Sequence, residues 1–324
     1  METYNSIWLV ILSKQGKKGA MPQRLSTYLK NQYGEKVYRL SLSSGCSCPN
    51  REGGQKGSTF CSEGGSGEFA KSGEDILESI DRAKELIRSK TDARKFIAYF
   101  QSFTNTYGDV KRLKELYMKA ISPDEIVALS IGTRPDCVGP EVMEMLKELN
   151  AIKPVWVELG LQTIHEDTAV RINRGYRLEV FDDAYRRLKE AGFTVVVHVI
   201  LGLPGESKED MLDTVRYLSG LNPPLDGIKL QNLQILKGTK MYEEYMEEER
   251  ILASSDEAGY NRDFYIMSME EYTDLVAECV ALLPKDTVVH RMTGDGPRRL
   301  LVAPLWSLDK KRVINMLNKK VKID

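Results

Sequence analysis

Three of the five cysteines, Cys46, Cys48 and Cys61, stand within sixteen consecutive positions, in the run CSCPNREGGQKGSTFCSEGGSG that ends at Gly67. Glycine, serine, Pro49 and Asn50 fill the spaces between them, so the backbone can wrap closely around something held by sulfur. An odd cysteine count, in a chain whose opening does not read as a signal peptide, points to metal binding or catalysis rather than to a disulfide framework. Thiolates at this density suit zinc or an iron–sulfur cluster. Zinc needs a fourth ligand at short spacing, yet the three histidines, His165, His198 and His290, are remote and none has a second histidine three to five residues on. Ligand arithmetic therefore favours an iron–sulfur cluster with three protein ligands and one iron left open to a small molecule.

The elements that must carry this loop read as alternating strands and helices. Val37–Leu42 is a strand that delivers the chain into the cysteine run, and FIAYF, IVALSI, VWVEL, TVVVHVIL and GIKLQNLQI follow as near-continuous apolar strands separated by amphipathic helices. Parallel strands covered by helices are the economical packing, and six of them are too few to close an eight-stranded barrel. The fold class expected is α/β, a partial (β/α)6 TIM-like barrel with a small C-terminal extension. Residues 1–22 read as a variable extension, 23–236 as the barrel with its cluster loop at 46–67, and 237–324 as a C-terminal cap. The polar motifs fall just after strands, where barrel chemistry sits.

Composition narrows the partners. Forty-six basic residues against 47 acidic ones do not indicate a strongly basic nucleic-acid binder, although a local patch such as Arg291, Arg298 and Arg299 is able to dock a phosphate or RNA backbone or simply to balance the acidic run from Glu243 to Glu249. The longest early apolar run, Ile7 to Leu12, is too short to cross a bilayer, so no membrane is expected and the location expected is cytoplasmic.

The ordered set CPNREG…STFCSEGGSG, AYFQSFTNTYG, IGTRPD, ELGLQT, INRGY, HVILGLPGE, DGIKLQNLQILKGT and HR…APLW resembles the YhcC-like branch of the radical S-adenosylmethionine (SAM) superfamily, itself related to the catalytic subunit of elongator. The resemblance runs from about Leu25 to Trp306. It implies a [4Fe–4S] cluster on three cysteines, SAM chelating the fourth iron, an external electron donor, and reductive cleavage of SAM to a 5′-deoxyadenosyl radical that acts on an unknown substrate, with tRNA as the elongator-like alternative. In one respect this chain departs from its relatives, whose loop ends Cys-x-Phe-Cys: here Ser58 occupies the first of those positions. Cys46 as replacement ligand, Ser58 as oxygen ligand, and a scaffold that has lost its cluster or binds zinc are the three readings, with Cys48, Cys61 and Cys46 taken as the metal ligands.

By the same resemblance Gln101 and Ser102 serve the SAM amino group, Arg134 and Asp136 its carboxylate or ribose, and Gly202 and Pro204 back its adenine. Arg134 paired with Asp136 in a turn, and GLPGE as plain turn chemistry, are the alternatives. Glu158 sits in so apolar a strand that it requires a partner, and Arg174 is the expected one unless it grips the SAM carboxylate. Gly160 admits close backbone approach before Gln162, while His198 points either to the lumen or into a satisfied core. Lys229 and Gln231 share one face of the last expected strand, a face suited to a lumen lined for substrate.

Overall fold

The computed structural model describes residues 21–64, 75–89, 91–254 and 262–324. The apolar run at Ile7 and most of the expected N-terminal extension lie outside the described residues, as do the last three positions of the cysteine run. Ten strands are described: β1 (Gln23–Arg24), β2 (Val37–Leu42), β3 (Lys95–Phe100), β4 (Ile126–Thr133), β5 (Val155–Gln162), β6 (Thr194–Leu201), β7 (Gly227–Asn232), β8 (Ile235–Leu236), β9 (Val288–Arg291) and β10 (Leu301–Ala303). Eight of them form one curled parallel sheet in the order β1, β9, β7, β6, β5, β4, β3, β2, and β8 pairs with β10 in a separate antiparallel ladder. This is the partial barrel expected, extended at one edge. The added edge comes from β9, which lies in the region read as a cap and pairs with β7 through Gly227↔Val288 and Ile228↔Val289, and from β1, which pairs with β9.

Helices between the strands pack on the outside because their apolar stripes match the outward residues of the sheet. Leu113 and Tyr117 of Val110–Ala120, Leu146 and Leu149 of Pro140–Asn150, and Phe181 and Leu188 of Leu178–Glu190 join Val157, Leu159, Val195 and Val197 in the main core. Three helix N-termini are satisfied by side chains: Asp109 accepts from the Arg112 amide at Val110–Ala120, and Ser207 with Asp210 and Ser268 with Glu271 form capping boxes at Lys208–Ser219 and Met269–Leu282.

Inside, the period of two along each strand makes layers. Ile97, Ala128, Trp156 and Val288 form an apolar floor, sealed by Leu25 and Leu29 of the helix Leu25–Tyr33. Two residues further along the strands the layer turns polar, with Tyr99, Ser130, Glu158, His198 and Lys229. Beyond it lie Gln101, Gly132, Gly160 and Gln231, which face a cavity of about 260 Å³ at the carboxyl ends of the strands. The segment Gly294–Pro297 also lines that cavity, so the C-terminal region contributes wall as well as strand.

Candidate active site and cluster loop

The cysteine loop is short of regular structure and is held in place from two sides. Asn50, nearly buried, donates to the carbonyls of Asn173 (2.6 Å) and Arg174 (3.1 Å), and the Asn173 amide returns a bond to the Gly57 carbonyl at 2.9 Å. The Thr59 amide reaches the Ile172 carbonyl at 3.0 Å, and the Thr59 carbonyl accepts from the amide of Met241 in the helix Lys240–Ser254 at 2.9 Å. Gly175 has φ +86°, and a side chain there would bring its Cβ to 2.3 Å from the side-chain amide oxygen Oδ1 of Asn50, so only glycine permits the contact. Asn-Arg-Gly-Tyr is thus the cradle for the cysteine loop. Cys48, Ser58 and Cys61 all line the cavity from this loop.

Cys46 does not. It is buried at the other side of the strand end, with its thiol 3.5 Å from the Arg112 guanidinium and against Gly108, and it takes no part in the cavity lining. The Ser58 hydroxyl, in contrast, donates to the Asn173 carbonyl at 3.0 Å beside the two cavity thiols. Burial pushes the Cys61 thiol up to about 11, with Arg51 and Arg134 opposing that rise and Cys48 adding to it. Cys137 is partly buried beside Asp136, and Cys279 is fully buried in the main core.

The two arginines expected at SAM are spent as brackets. Arg134 makes a bidentate pair with Asp136 (2.9 and 2.6 Å) and donates to the carbonyls of Arg174 and Gly175. Burial works against its charge, but Asp136 more than offsets this and raises its pKa. Arg174 donates to Thr163 and Tyr176 carbonyls and to Glu166 at 2.9 Å, and both guanidiniums lie about 5 Å over the Tyr176 ring. The expected pairing of Arg174 with Glu158 is therefore corrected: Arg174 is committed to the turn that follows β5. Both arginines still face the cavity, whereas Asp136 does not line it.

Glu158 finds its partners across the lumen. Its carboxylate receives Lys229, His198 at 2.8 Å and Ser130 at 2.8 Å, and Lys229 also donates to the Tyr99 hydroxyl at 2.7 Å. Burial alone would push the Glu158 carboxyl up, but Lys229 and His198 hold it well below the usual range, so it is a buried carboxylate. His198 is pushed down to about 4 by burial and by the Lys229 charge, which leaves a neutral ring that gives Nε2–H to Glu158. Lys229 itself is lowered by burial. Charge in so apolar a strand was a legible signal in both β5 and β7, but the sequence did not say that the two charges face one another.

Gln162 is placed by a bulge. Gly160 pairs with His198 and Gln162 with Val199, so one extra residue re-aims the strand end, and Gln162 takes φ +71°. Gln162 lines the cavity, and its amide oxygen is buried without a partner. The other non-glycine residues with positive φ, Phe103 and Asn173, are a cavity residue and the loop staple, so backbone strain among the described residues collects around this site. Gln101 lines the cavity, while Ser102 is buried and absent from its lining. Gly202 and Pro204 do not line it either: Gly202 packs within 3.0 Å of Met267 for any added Cβ. Residues the motifs did not single out are Asn50, Arg51, Tyr99 and Tyr176; Tyr99 was detectable as the lumenal neighbour of Gln101 two positions on.

The donor set tests the implied cofactors. Cys48, Cys61 and Ser58 line one cavity together with Gln162, whose amide oxygen lacks a partner, and with Arg51 and Arg134, a donor set that fits a cluster with oxygen in one of three protein positions and a polar co-ligand beside it. The comparisons agree with the class. The Radical SAM superfamily profile matches residues 48–218 and the Radical_SAM C-terminal domain residues 225–322. The chain belongs to the radical SAM superfamily. Within it the chain falls in the YhcC-like family, related to elongator complex protein 3. It is 37% identical over 300 residues to the uncharacterized protein YtqA of Bacillus subtilis, covering 92% of this chain and 88% of that one. It is 36% identical over 281 residues to the protein YhcC of Escherichia coli, covering 86% and 85%. An archaeal Elp3 from Methanocaldococcus infernus shares the fold at a TM-score of 0.62 and 19% identity, covering 88% of this chain; the alignment spans 63% of that structure.

Proposed function

We propose that the protein is a radical SAM enzyme whose cluster site is built from Cys48, Cys61 and Ser58. When bound, a [4Fe–4S] cluster and SAM supply one-electron reductive cleavage of SAM to a 5′-deoxyadenosyl radical, fed by an external donor. The observation that carries this reading is that these three side chains share one loop, stapled by Asn50 and Asn173, and line the same cavity, while Cys46 turns away to Arg112. The chain's own contribution is placement. Gln162 offers an acceptor to the polar co-ligand, Gly132 and Gly160 leave the cavity wall thin, and the Glu158–Lys229 pair closes the lumen below with charges already satisfied. In this reading the substrate is acted on at the cavity at the carboxyl ends of the strands, and the location is cytoplasmic.

Anaerobic reconstitution with iron and sulfide tests it. Iron and sulfide bound per chain, together with 5′-deoxyadenosine after SAM and dithionite, are the expected result. Ser58→Cys should raise iron occupancy and alter the electron paramagnetic resonance of the reduced protein, Ser58→Ala should lower occupancy, and Cys46→Ala should leave it unchanged. A folded protein that binds no iron would end the enzyme reading in favour of a scaffold that has lost its cluster.

A further inference from the structure

The curled sheet does not close: β2 stands at one end of the strand order, β1 and β9 at the other. The seam between them holds a second cavity of about 610 Å³, with Leu25, Leu29 and Leu317 among its apolar walls. It shares Tyr99, Gln101, Arg291 and Asp295 with the cavity at the cluster loop, so the two adjoin. Four cations, Arg24, Lys36, Arg39 and Arg291, converge on it from both edges, and none is in an ion pair among the described residues. Asp295, the carboxylate in the lining, is engaged by Lys310, and Glu158 beneath is engaged by Lys229.

Two buried groups in this lining lack partners. One guanidinium nitrogen of Arg39 is buried with no hydrogen bond, the guanidinium carbon 5.2 Å from the centre of the Tyr99 ring, and the Nδ1 of His290, a residue nine-tenths buried, has none either. Arg291 reaches the Gln231 side chain at 3.5 Å. The unsatisfied guanidinium donor of Arg39 in a concave seam is costly unless an anion completes it, whereas burial keeps the His290 ring neutral, so it adds a hydrogen-bonding atom and no charge.

We propose that the open seam is the anion subsite of the substrate: it takes a small phosphate ester, the phosphate between Arg39 and Arg291, the remainder passing Tyr99 and Gln101 toward the cluster loop. The substrate role rests on the radical SAM reading; the binding does not. The cavity volume lies in the range of small-molecule sites, and a chain with 46 basic and 47 acidic residues carries no net positive charge to draw in a nucleic acid polymer. Nucleoside and sugar phosphates share this chemistry.

Calorimetry on the full chain without cluster or SAM tests the subsite, using inorganic pyrophosphate, a nucleoside 5′-monophosphate and a hexose phosphate as probes and a short single-stranded RNA as the polymer. Saturable binding of at least one phosphate ester is expected, weakened by salt and reduced about tenfold or more by Arg39→Gln and by Arg291→Gln. Arg39→Lys should restore part of the affinity, and Lys319→Gln, on the terminal helix, should change nothing. The ester that binds best separates the nucleoside from the sugar source. Melting curves identify any variant that fails to fold, in which case the lysine variant and the salt dependence decide. No phosphate binding by the folded protein, or binding indifferent to both glutamine variants, overturns the proposal. So does RNA bound more tightly than every small ester. Deoxyadenosine formation is scored separately, so failure here leaves the radical SAM reading to its own test.

Discussion

A single buried carboxylate organises the lumen. Glu158 is fully enclosed and balanced by Lys229, His198 and Ser130, so removing the lysine leaves a charge with no water to solvate it. Lys229→Met should cost about 3–5 kcal/mol in urea unfolding, and Glu158→Gln added to it should recover much of that loss. His198 gives a pH signature. Its pKa falls from 6.5 to about 4 on folding, so the unfolded chain takes up protons first as the pH drops. The stability its neutral ring contributes is complete above about 6.5 and erodes between there and about 4. His198→Gln should flatten the urea midpoint across that window relative to the parent protein, the carboxylates being common to both. Glu158's need for a partner could be read from its apolar strand, but which cation would satisfy it could not. The neighbour in sequence, Arg174, was the natural candidate; the neighbour in space is Lys229, 71 positions away.

At the scale of elements, the decisive event is the docking of the cysteine loop on the segment after β5. Glycine at 175 is required both by φ +86° and by the 2.3 Å approach of Asn50. Gly175→Ala should therefore destabilise the fold by about 1–3 kcal/mol and lower iron occupancy together, and limited proteolysis should cut between 46 and 64 faster than in the parent. Asn50→Ala should reproduce the iron loss with a smaller loss of stability, since it removes the staple without a collision. A wrong outcome would be unchanged iron in both. Val37–Leu42 and Thr194–Leu201 were legible to the residue because buried parallel strands are continuous apolar runs, whereas IVALSI and VWVEL stop two and three residues short of the ends of β4 and β5, and GIKLQNLQI runs past the end of β7 into β8, which pairs in the other sheet. The bulge that aims Gln162 was not legible, since it depends on the register against β6.

The whole molecule is more continuous than its composition suggests. A cap beginning at 237 would leave β7 as an edge, but β9 covers it, and the terminal Asp324 carbonyl accepts from the Arg24 amide at 2.7 Å. A fragment ending at Leu236 should accordingly lack a cooperative thermal transition by circular dichroism, although it holds every cysteine of the cluster loop. Among the described residues no helix is long and apolar enough to cross a membrane.

Composition, strand periodicity and motif order determined the class of fold, the loop that carries the cysteines and the superfamily, because all three follow from local pattern. Tertiary structure alone decided that Ser58 rather than Cys46 stands with Cys48 and Cys61, that Lys229 answers Glu158, and that four cations meet at the seam. Those are matters of direction and of contact between distant strands, and spacing along a chain does not encode which side of a turn a side chain leaves.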